Sequence, residues 1–344
     1  MPNTTKQAYY FAFILCTVTL LAGCGSGDSG SGSTVSNTPT NGSDITNRLL
    51  SETSANCEQY SGDYFSSVED IKRSLTYTGS VSLSSSGVEC IIESNGIPNH
   101  DFNDQSASFA TNVSEQAQQF EFSSSPSHSG SITALSLPVS EAVLLNGVKI
   151  DLLAAACYDV GDERTGCGQD QINNPWRFDP MSELNGFGTD EHHAHVQPDG
   201  TYHYHGNPMA LFEQDCAGSA ASPVIGFAAD GYPIYGSCYL DQTDGAVKKA
   251  TSSYQLKSGV RQDVGSYSTP VVGGSVVSQQ YDGQFRGDYE YVVALGTLDE
   301  CNGMFVDGQY GYYVTDSFPW VLNCFKGAVD GSFGASASIR SHRH

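Results

Sequence analysis

The chain has 344 residues and a formal net charge of −23, with 38 acidic against 15 basic side chains. Such a surface repels nucleic acid and anionic lipid, and there is no basic patch with interleaved aromatic residues, so nucleic acid is excluded as a partner. The length allows a substantial core in one large or two smaller domains.

The first 23 residues are expected to be an export signal. Lys6 gives a weakly basic start, and the apolar run from Tyr9 to Leu21 is too short to span a bilayer. The Leu-Ala-Gly-Cys that ends at Cys24 resembles the lipobox of bacterial lipoproteins, and this resemblance implies cleavage before Cys24 and lipidation of that residue. The alternative is an ordinary signal peptide followed by a chance cysteine.

The lipid is expected to be the only membrane attachment, because no other apolar stretch approaches membrane length. Gly25, not an aspartate, follows Cys24. By resemblance to lipoprotein sorting signals this favours the outer membrane, on its periplasmic or cell-surface face. The stretch Gly25–Asn47 is almost all Gly, Ser, Thr, Asn and Asp, which bury too little apolar surface to fold, so residues 24–55 are predicted to be a flexible tether.

The next elements are one short helix and then strands. Apolar residues at helical spacing follow Ser66 and Ser67, two possible caps, and predict a helix over residues 68–75. From about Ser80, short runs of Val, Ile, Leu, Tyr and Phe are broken by Gly, Ser, Asn and Asp, which is typical of strands and turns. Three hairpins are predicted at the two-residue turns Asn146-Gly147, Asp230-Gly231 and Asp307-Gly308.

Five of the nine histidines lie between Asp190 and His205. His193 and His195 belong to one His-x-His triplet, and His203 and His205 to a second. Alternate residues of a strand share a face. We therefore expect both imidazoles of each triplet to point to the same side.

The turn between the triplets decides whether they meet. Pro198-Asp199-Gly200 suits a three-residue loop closed by a left-handed glycine, which places Gln197 opposite Thr201. Counting outward, the inner histidines of the two triplets then face each other, as do the outer ones, so that four imidazoles converge. A turn without the bulge would set His195 against Tyr202 and divide the cluster between the two faces.

A cluster of imidazoles indicates a transition metal site. Imidazole is the commonest metal ligand, and nitrogen donors suit zinc, copper, iron or nickel rather than calcium or magnesium. The alternative is a surface strand whose polar face carries histidine by chance, while Tyr202 and Tyr204 pack inward.

The rest of the chain completes a mainly β fold. We expect a sandwich-like or mixed β-sheet assembly with few short helices, in one domain over residues 56–330. Pro208–Gln214 could form a short helix, and Asp241–Gly287 is rich enough in polar residues and glycine to be extended loops or an insertion. Residues 331–344 are expected to be a frayed tail.

Eight cysteines remain after Cys16 in the signal and Cys24 at the anchor. An even number in an exported chain predicts four disulfides, which would staple the fold. We expect pairs that are neighbours in sequence, with Cys157 to Cys167 the best supported because it closes a short polar loop. The eight cysteines are Cys57, Cys90, Cys157, Cys167, Cys216, Cys238, Cys301 and Cys324.

These landmarks together resemble the YHYH domain family, named for the tetrapeptide that here is Tyr202–His205. The resemblance extends, in order, from about Gly87 to Gly327. It implies an architecture and a location for the site, and no established reaction. Its further blocks are Ser94–His100, Leu145–Val148, Ala194–Gly200, Gly226–Gly236, Leu298–Gly303 and Phe318–Gly327.

The resemblance adds His100, at the end of the first block, as a possible fifth ligand from another strand, although a lone histidine is more often structural. The chain departs from the family pattern at Tyr310–Tyr313. Where many members carry a second Tyr-His-Tyr-His before a Phe-Pro, this chain has Tyr-Gly-Tyr-Tyr. Any ligand from a second copy is therefore absent.

The first functional hypothesis is that the protein binds or stores a transition metal ion, copper or zinc. A carboxylate from Asp190, Glu191 or Asp199 would then hold the second ring nitrogens of the ligands. The candidate ligands are His193, His195, His203, His205 and His100.

Two alternatives stay open. One is an extracytoplasmic, hydrolase-like enzyme that uses the same cluster with or without a metal, with His203, His205 and Asp230 as candidate catalytic residues. The other is a surface adhesion or carbohydrate-binding module, and in either case the small-molecule or glycan substrate is unknown. There is no Gly-x-Ser-x-Gly, His-Glu-x-x-His, Walker loop or dinucleotide fingerprint to support a common enzyme class.

Overall fold

The computed structural model describes residues 42–162, 166–218 and 220–334. The predicted signal peptide, the lipidation site Cys24 and most of the predicted tether lie outside the described residues, as do residues 335–344 of the predicted tail. The first residues of that tail are not frayed, because Gly331–Phe333 forms a helical turn that buries Phe333. Within the described part, no helix is both long and apolar enough to cross a membrane.

Strands dominate the described chain, and its helices are four single turns of 3-10 helix at Cys57–Tyr60, Gln169–Gln171, Arg286–Asp288 and Gly331–Phe333. The strands, numbered in chain order, are β1 (Ser43–Asp44), β2 (Gly62–Asp70), β3 (Leu75–Ser85), β4 (Glu89–Ser94), β5 (Gln118–Ser123), β6 (Thr133–Ala134), β7 (Ala142–Leu144), β8 (Lys149–Ile150), β9 (Ala194–Val196), β10 (Tyr202–Tyr204), β11 (Val224–Ala228), β12 (Pro233–Tyr235), β13 (Cys238–Leu240), β14 (Val247–Lys249), β15 (Tyr254–Leu256), β16 (Tyr289–Tyr291), β17 (Gly303–Val306), β18 (Gln309–Tyr313) and β19 (Cys324–Phe325).

The first large sheet has the order β1-β2-β3-β4-β5, with β1 parallel to β2 and the other pairs antiparallel. It corrects the helix predicted over residues 68–75. The chain instead forms a hairpin, in which Val68 pairs with Tyr77 and Asp70 with Leu75. Ile71 and Leu75 are 38% and 41% exposed, so they form no apolar helix face. The long ladder with β3 satisfies more backbone groups than one isolated helix of eight residues would.

The second large sheet is mixed and has the order β17-β18-β12-β11-β7-β8-β10-β9. Its parallel pairs are β10 with β8 and β12 with β18. The three predicted two-residue turns all join antiparallel neighbours in this sheet, namely β7–β8, β11–β12 and β17–β18. The hairpins predicted from Asn146-Gly147, Asp230-Gly231 and Asp307-Gly308 are therefore confirmed.

The two sheets pack face to face over one apolar core. Phe122 of β5 stacks on Phe227 of β11, with ring centroids 4.9 Å apart. Val81 and Ile92 from the first sheet and Ile234 from the second are buried in the same cluster. The prediction of a mainly β, sandwich-like assembly is confirmed, and burial of both inner faces is the main source of its stability.

Four disulfides join cysteines that are neighbours in sequence, as predicted. They include the expected Cys157–Cys167 bridge. The other three are Cys57–Cys90, Cys216–Cys238 and Cys301–Cys324.

The predictions for residues 208–214 and for the end of the tether need correction. Pro208–Gln214 is not helical: Asn207 donates its side-chain amide to Gln214 Oε1 at 2.6 Å and closes an irregular loop that buries Leu211 and Phe212. The end of the predicted tether hydrogen-bonds to the domain, because Leu50 N donates to Leu211 O and Val224 N to the carbonyl of residue 52. The described fold therefore includes residues before position 56.

Candidate metal site

The β9–β10 hairpin has the predicted three-residue loop. Gly200 has φ +90°, and Gln197 N donates to Thr201 O at 2.9 Å. His195 consequently pairs with His203 across the two strands. The register inferred from Pro198-Asp199-Gly200 is confirmed, since it depends on a backbone conformation that glycine adopts without strain.

Replacing Gly200 with alanine should destabilise the protein by about 2–3 kcal/mol. Alanine is strained in the left-handed conformation. Its Cβ would also overlap the side chain of Ser114, whose Cβ would lie 2.9 Å away. In a Ser114→Gly background the side-chain overlap is removed and only the approach to the backbone N of residue 114, at 3.1 Å, remains, so the same change should cost less, about 1–2 kcal/mol. Chemical denaturation of the four variants measures both values. Equal costs in the two backgrounds would contradict the steric part of this explanation.

Three histidines of the hairpin meet at one point. His205 Nε2 lies 3.0 Å from His203 Nε2 and 3.0 Å from His195 Nε2. Their ring centroids form an almost equilateral triangle with sides of 4.6–4.7 Å, and the rings stand edge to face. His195, His203 and His205 are called the triad below. Among the histidine, cysteine, aspartate and glutamate side chains of the described residues, these three form the group whose ligand atoms come close enough to hold one ion together.

The hydrogen bonds of the outer ring nitrogens determine what the inner nitrogens can do. His195 Nδ1 lies 2.8 Å from Phe187 O, and His203 Nδ1 lies 3.2 Å from Thr201 O. A carbonyl oxygen only accepts, so each Nδ1 carries the proton and each Nε2 presents a lone pair. His205 can donate one proton to one neighbour at most. The other close nitrogen contact then has no proton between its lone pairs, which repel unless a cation lies between them.

Burial lowers the pKa of all three triad imidazoles. For His203 the neighbouring His195 and Lys149 lower it further, and for His205 the other two triad rings do so. The rings are therefore neutral at pH 7. Neutral imidazole is the form that binds a metal ion.

The segment that holds the triad lies within a match to a known protein family. The sequence model of the YHYH protein family matches residues 119–327, which is more than half of the chain. The chain belongs to the YHYH protein family. The tetrapeptide Tyr202–His205 supplies two of the three triad rings and, on the opposite face of β10, two buried tyrosines.

The other similarities of this YHYH protein are short. A 61-residue stretch is 34% identical to the major core protein OPG129 of monkeypox virus, variola virus and vaccinia virus, covering 14% of this chain and 10% of the viral protein. The chain thus spans about a tenth of the length of these curated relatives. No solved structure matches it.

Two predicted ligands of the YHYH protein lie outside the triad. The backbone of His193 pairs with His205 as expected, but its φ of +60° turns the side chain to Asn207 O, 2.8 Å from Nδ1. His100 Nε2 lies 2.6 Å from the hydroxyl of Tyr204, which alternates with the triad rings and points to the other face. Burial lowers the pKa of His100 to about 3. The expected group of five ligands is therefore reduced to three.

Of the acids expected at the site, Asp190 and Asp230 are engaged elsewhere, while Asp199 accepts a hydrogen bond from Thr201 N within the hairpin loop at 3.0 Å. Asp190 accepts a hydrogen bond from Tyr202 OH at 2.8 Å, on the face opposite the triad. Asp230, a candidate catalytic residue, is buried and accepts from Tyr312 OH and from the backbone N–H groups of Lys326 and Gly327. Such contacts are those of a structural anchor. The carbonyls of neighbouring loops, not these carboxylates, orient the triad.

Sequence reasoning missed the acid that does lie near the triad. Lys149 of β8 pairs with His203, and its ammonium contacts Asp151 at 2.7 Å. Gln197 donates to the same Asp151 oxygen at 3.0 Å. Asp151 in turn raises the pKa of His195 and His205, against the larger effect of burial. The signal that could have found it is the strand that follows the predicted Asn146-Gly147 turn.

The triad faces a cleft of about 1230 Å³. Its walls are largely apolar, with Phe109, Leu153 and Phe187 among them, and the acids Glu141, Asp151 and Asp199 also line it. No lysine or arginine is among the described residues of its wall. The cleft therefore suits neutral or cationic molecules better than anions.

Proposed function

We propose that this YHYH protein is exported, is anchored to the outer membrane through a lipid on Cys24, and binds one transition metal ion, zinc or copper, at the triad. The observation that carries the metal proposal is the convergence of three imidazole Nε2 atoms, two of the contacts being 3.0 Å. Zinc-to-nitrogen bonds of about 2.0–2.1 Å place two ligands of a tetrahedral ion about 3.3 Å apart. A few tenths of an ångström of opening would therefore admit the ion.

The choice between zinc and copper rests on general ligand chemistry. Imidazole suits both ions, and copper binds most tightly among the divalent metals of the first row. Export is supported by the signal-like N-terminus and by four disulfides, since disulfides persist in oxidising compartments.

Elemental analysis of the purified mature domain tests the metal proposal. After removal of metal and reconstitution with zinc or copper, we expect about one equivalent per chain, and the copper-loaded protein should show nitrogen hyperfine splitting in its electron paramagnetic resonance spectrum. Less than a tenth of an equivalent with either metal would contradict the proposal. Lipid attachment is tested separately, by mass spectrometry of the N-terminal peptide from the wild type and from Cys24→Ala.

A metal-dependent enzyme is the second candidate, and the wide cleft favours it. Three histidine ligands leave one position of a tetrahedral ion for water or substrate, which is the arrangement of catalytic rather than structural zinc sites. A panel of neutral ester, peptide and glycoside substrates should be assayed with the metal-loaded and metal-free protein. Activity that depends on the metal would favour the enzyme, and equal background rates would favour binding or storage.

A further inference from the structure

A second, smaller pocket has an unusual charge for this protein. Its volume is about 270 Å³, and Arg177 and Arg286 line it together with the amides of Asn174 and Asn323. No aspartate or glutamate is among its described lining residues. In a chain with a net charge of −23, this is a local concentration of positive charge.

Backbone hydrogen bonds hold the two segments that carry these arginines close together. Arg286 N donates to Arg177 O at 2.9 Å, and Gly287 N donates to Pro175 O at 2.8 Å. A Cβ on Gly287 would overlap Pro175, so only glycine allows this approach of the two segments. Burial lowers the pKa of Arg177 to about 10, and the positive charge of Arg286 contributes to this shift.

Arg177 is buried, and its charge has no carboxylate partner among the described residues. Its guanidinium donates to the carbonyls of Ala154, Cys167 and Gln171, while Nε finds no acceptor. The loop that provides these carbonyls is closed by the Cys157–Cys167 disulfide. Carbonyl oxygens satisfy N–H groups but do not neutralise a charge.

Arg286 is similar. Nη2 donates to Asn323 Oδ1 at 2.7 Å, the guanidinium lies 4.8 Å from the ring centre of Phe318, and Nη1 has no acceptor in the described structure. Asp179 and Glu141 act on it electrostatically without forming an ion pair within hydrogen-bonding reach in the described residues.

Arg261, another buried arginine, differs from these two because it has carboxylate partners. The guanidinium of Arg261 is paired with Asp288 at 2.6 Å and also contacts Asp282. A buried guanidinium group without a carboxylate partner lowers the stability of the fold. A bound anion would neutralise the charge of Arg177 and Arg286 and remove this penalty.

We propose that this pocket binds the anionic group of a small molecule, a carboxylate, sulfate or phosphate, between Arg177 and Arg286. Nη1 of Arg286, which has no acceptor, and the side-chain amide of Asn174 at the wall are N–H donors of the kind that oxyanions accept. The volume accommodates an ion with a few further atoms. The site is separate from the triad, with Leu153 between them as a shared wall residue.

The test uses the mature chain freed of metal with a chelator and dialysed, so that anion binding to a triad metal cannot contribute. Phosphate, sulfate and succinate are titrated by calorimetry at constant ionic strength, with chloride as the reference anion. We expect at least one of the three to bind with a dissociation constant below about 1 mM. No binding by any of them at 10-fold higher concentration, on the order of 10 mM, would overturn the proposal.

Two variants and a control locate the site. Arg286→Gln should weaken binding at least tenfold, whereas Arg48→Gln, which removes the same charge from an exposed position, should change it less than twofold. Asn323→Asp places a carboxylate beside Arg286 and should abolish anion binding in a folded protein, even if Arg286→Gln fails to fold. Wild-type affinity in Asn323→Asp, or an equal loss in Arg48→Gln, would overturn the proposal.

Discussion

Replacing His205 with alanine should weaken metal binding by at least about 100-fold. His205 is the central ring of the triad, since its Nε2 lies 3.0 Å from both of the others. Loss of a residue that only orients a ligand already costs 10- to 100-fold in affinity, so loss of a ligand should cost at least as much. Calorimetric titration with zinc measures the change, and circular dichroism confirms that the variant is folded.

His193→Ala is the matched control. This residue lies on the same hairpin and was an equally strong candidate from the sequence, but its ring is held by Asn207 O away from the triad. We expect its affinity for zinc to stay within about threefold of the wild type. If both substitutions cost the same, the ligand set derived from the structure is wrong.

Ionisation of Glu141 should cost the folded protein stability as pH rises from 5 to 9. The buried histidines, whose pKa values burial lowers, act in the opposite direction between about pH 5 and pH 7, so the effect is measured as the difference between the wild type and Glu141→Gln. Burial raises the pKa of Glu141 to about 8, and the negative charge of Asp151 adds to this, while the N–H of Leu152 and the charge of Arg286 oppose it less strongly. The unfolded chain has the ordinary value of 4.5. Because the folded pKa is the higher one, the stability contributed by the protonated side chain is fully present below pH 4.5. It is lost as pH rises through about 8.

The expected loss from Glu141 alone is about 4 kcal/mol between pH 5 and pH 9, taking about 1.4 kcal/mol for each pKa unit. Free energies of unfolding from denaturant titrations at pH 5, 7 and 9 measure it in the metal-free protein. Glu141→Gln keeps an acceptor for Leu152 N but never ionises, so its stability relative to the wild type should rise by about 4 kcal/mol from pH 5 to pH 9. Glu213→Gln, at an exposed position, should leave the slope unchanged. A wild-type slope in Glu141→Gln would contradict the assignment.

The part of the site that could be predicted was local. A glycine at position 200 permits the left-handed backbone of the loop, the loop sets the register, and the alternation of a strand brings His195, His203 and His205 to one face. Each step involves residues close in sequence, so no knowledge of the remaining chain was needed. The same is true of the three two-residue hairpins and of disulfides between neighbouring cysteines.

The prediction failed where one backbone dihedral angle or the packing of distant segments decided the structure. His193 occupies the expected pairing position, but one residue with a positive φ rotates its ring away from the others. The segment 68–75 has helical spacing of apolar residues, but it forms a hairpin because its two ends belong to the paired strands β2 and β3. His100 approaches the same strand as the triad and contacts the opposite face, through Tyr204.

The amino-acid sequence by itself determined the mainly β class, the pairing of the histidine hairpin and the family, because these depend on short-range periodicity, turn chemistry and motif order. Tertiary structure decided which histidines form the triad, that Asp151 lies beside it and that Arg177 and Arg286 share a pocket without acids. Those contacts join residues far apart in the chain. Their geometry follows from how the strands and loops pack in three dimensions, and spacing along the sequence carries no information about it.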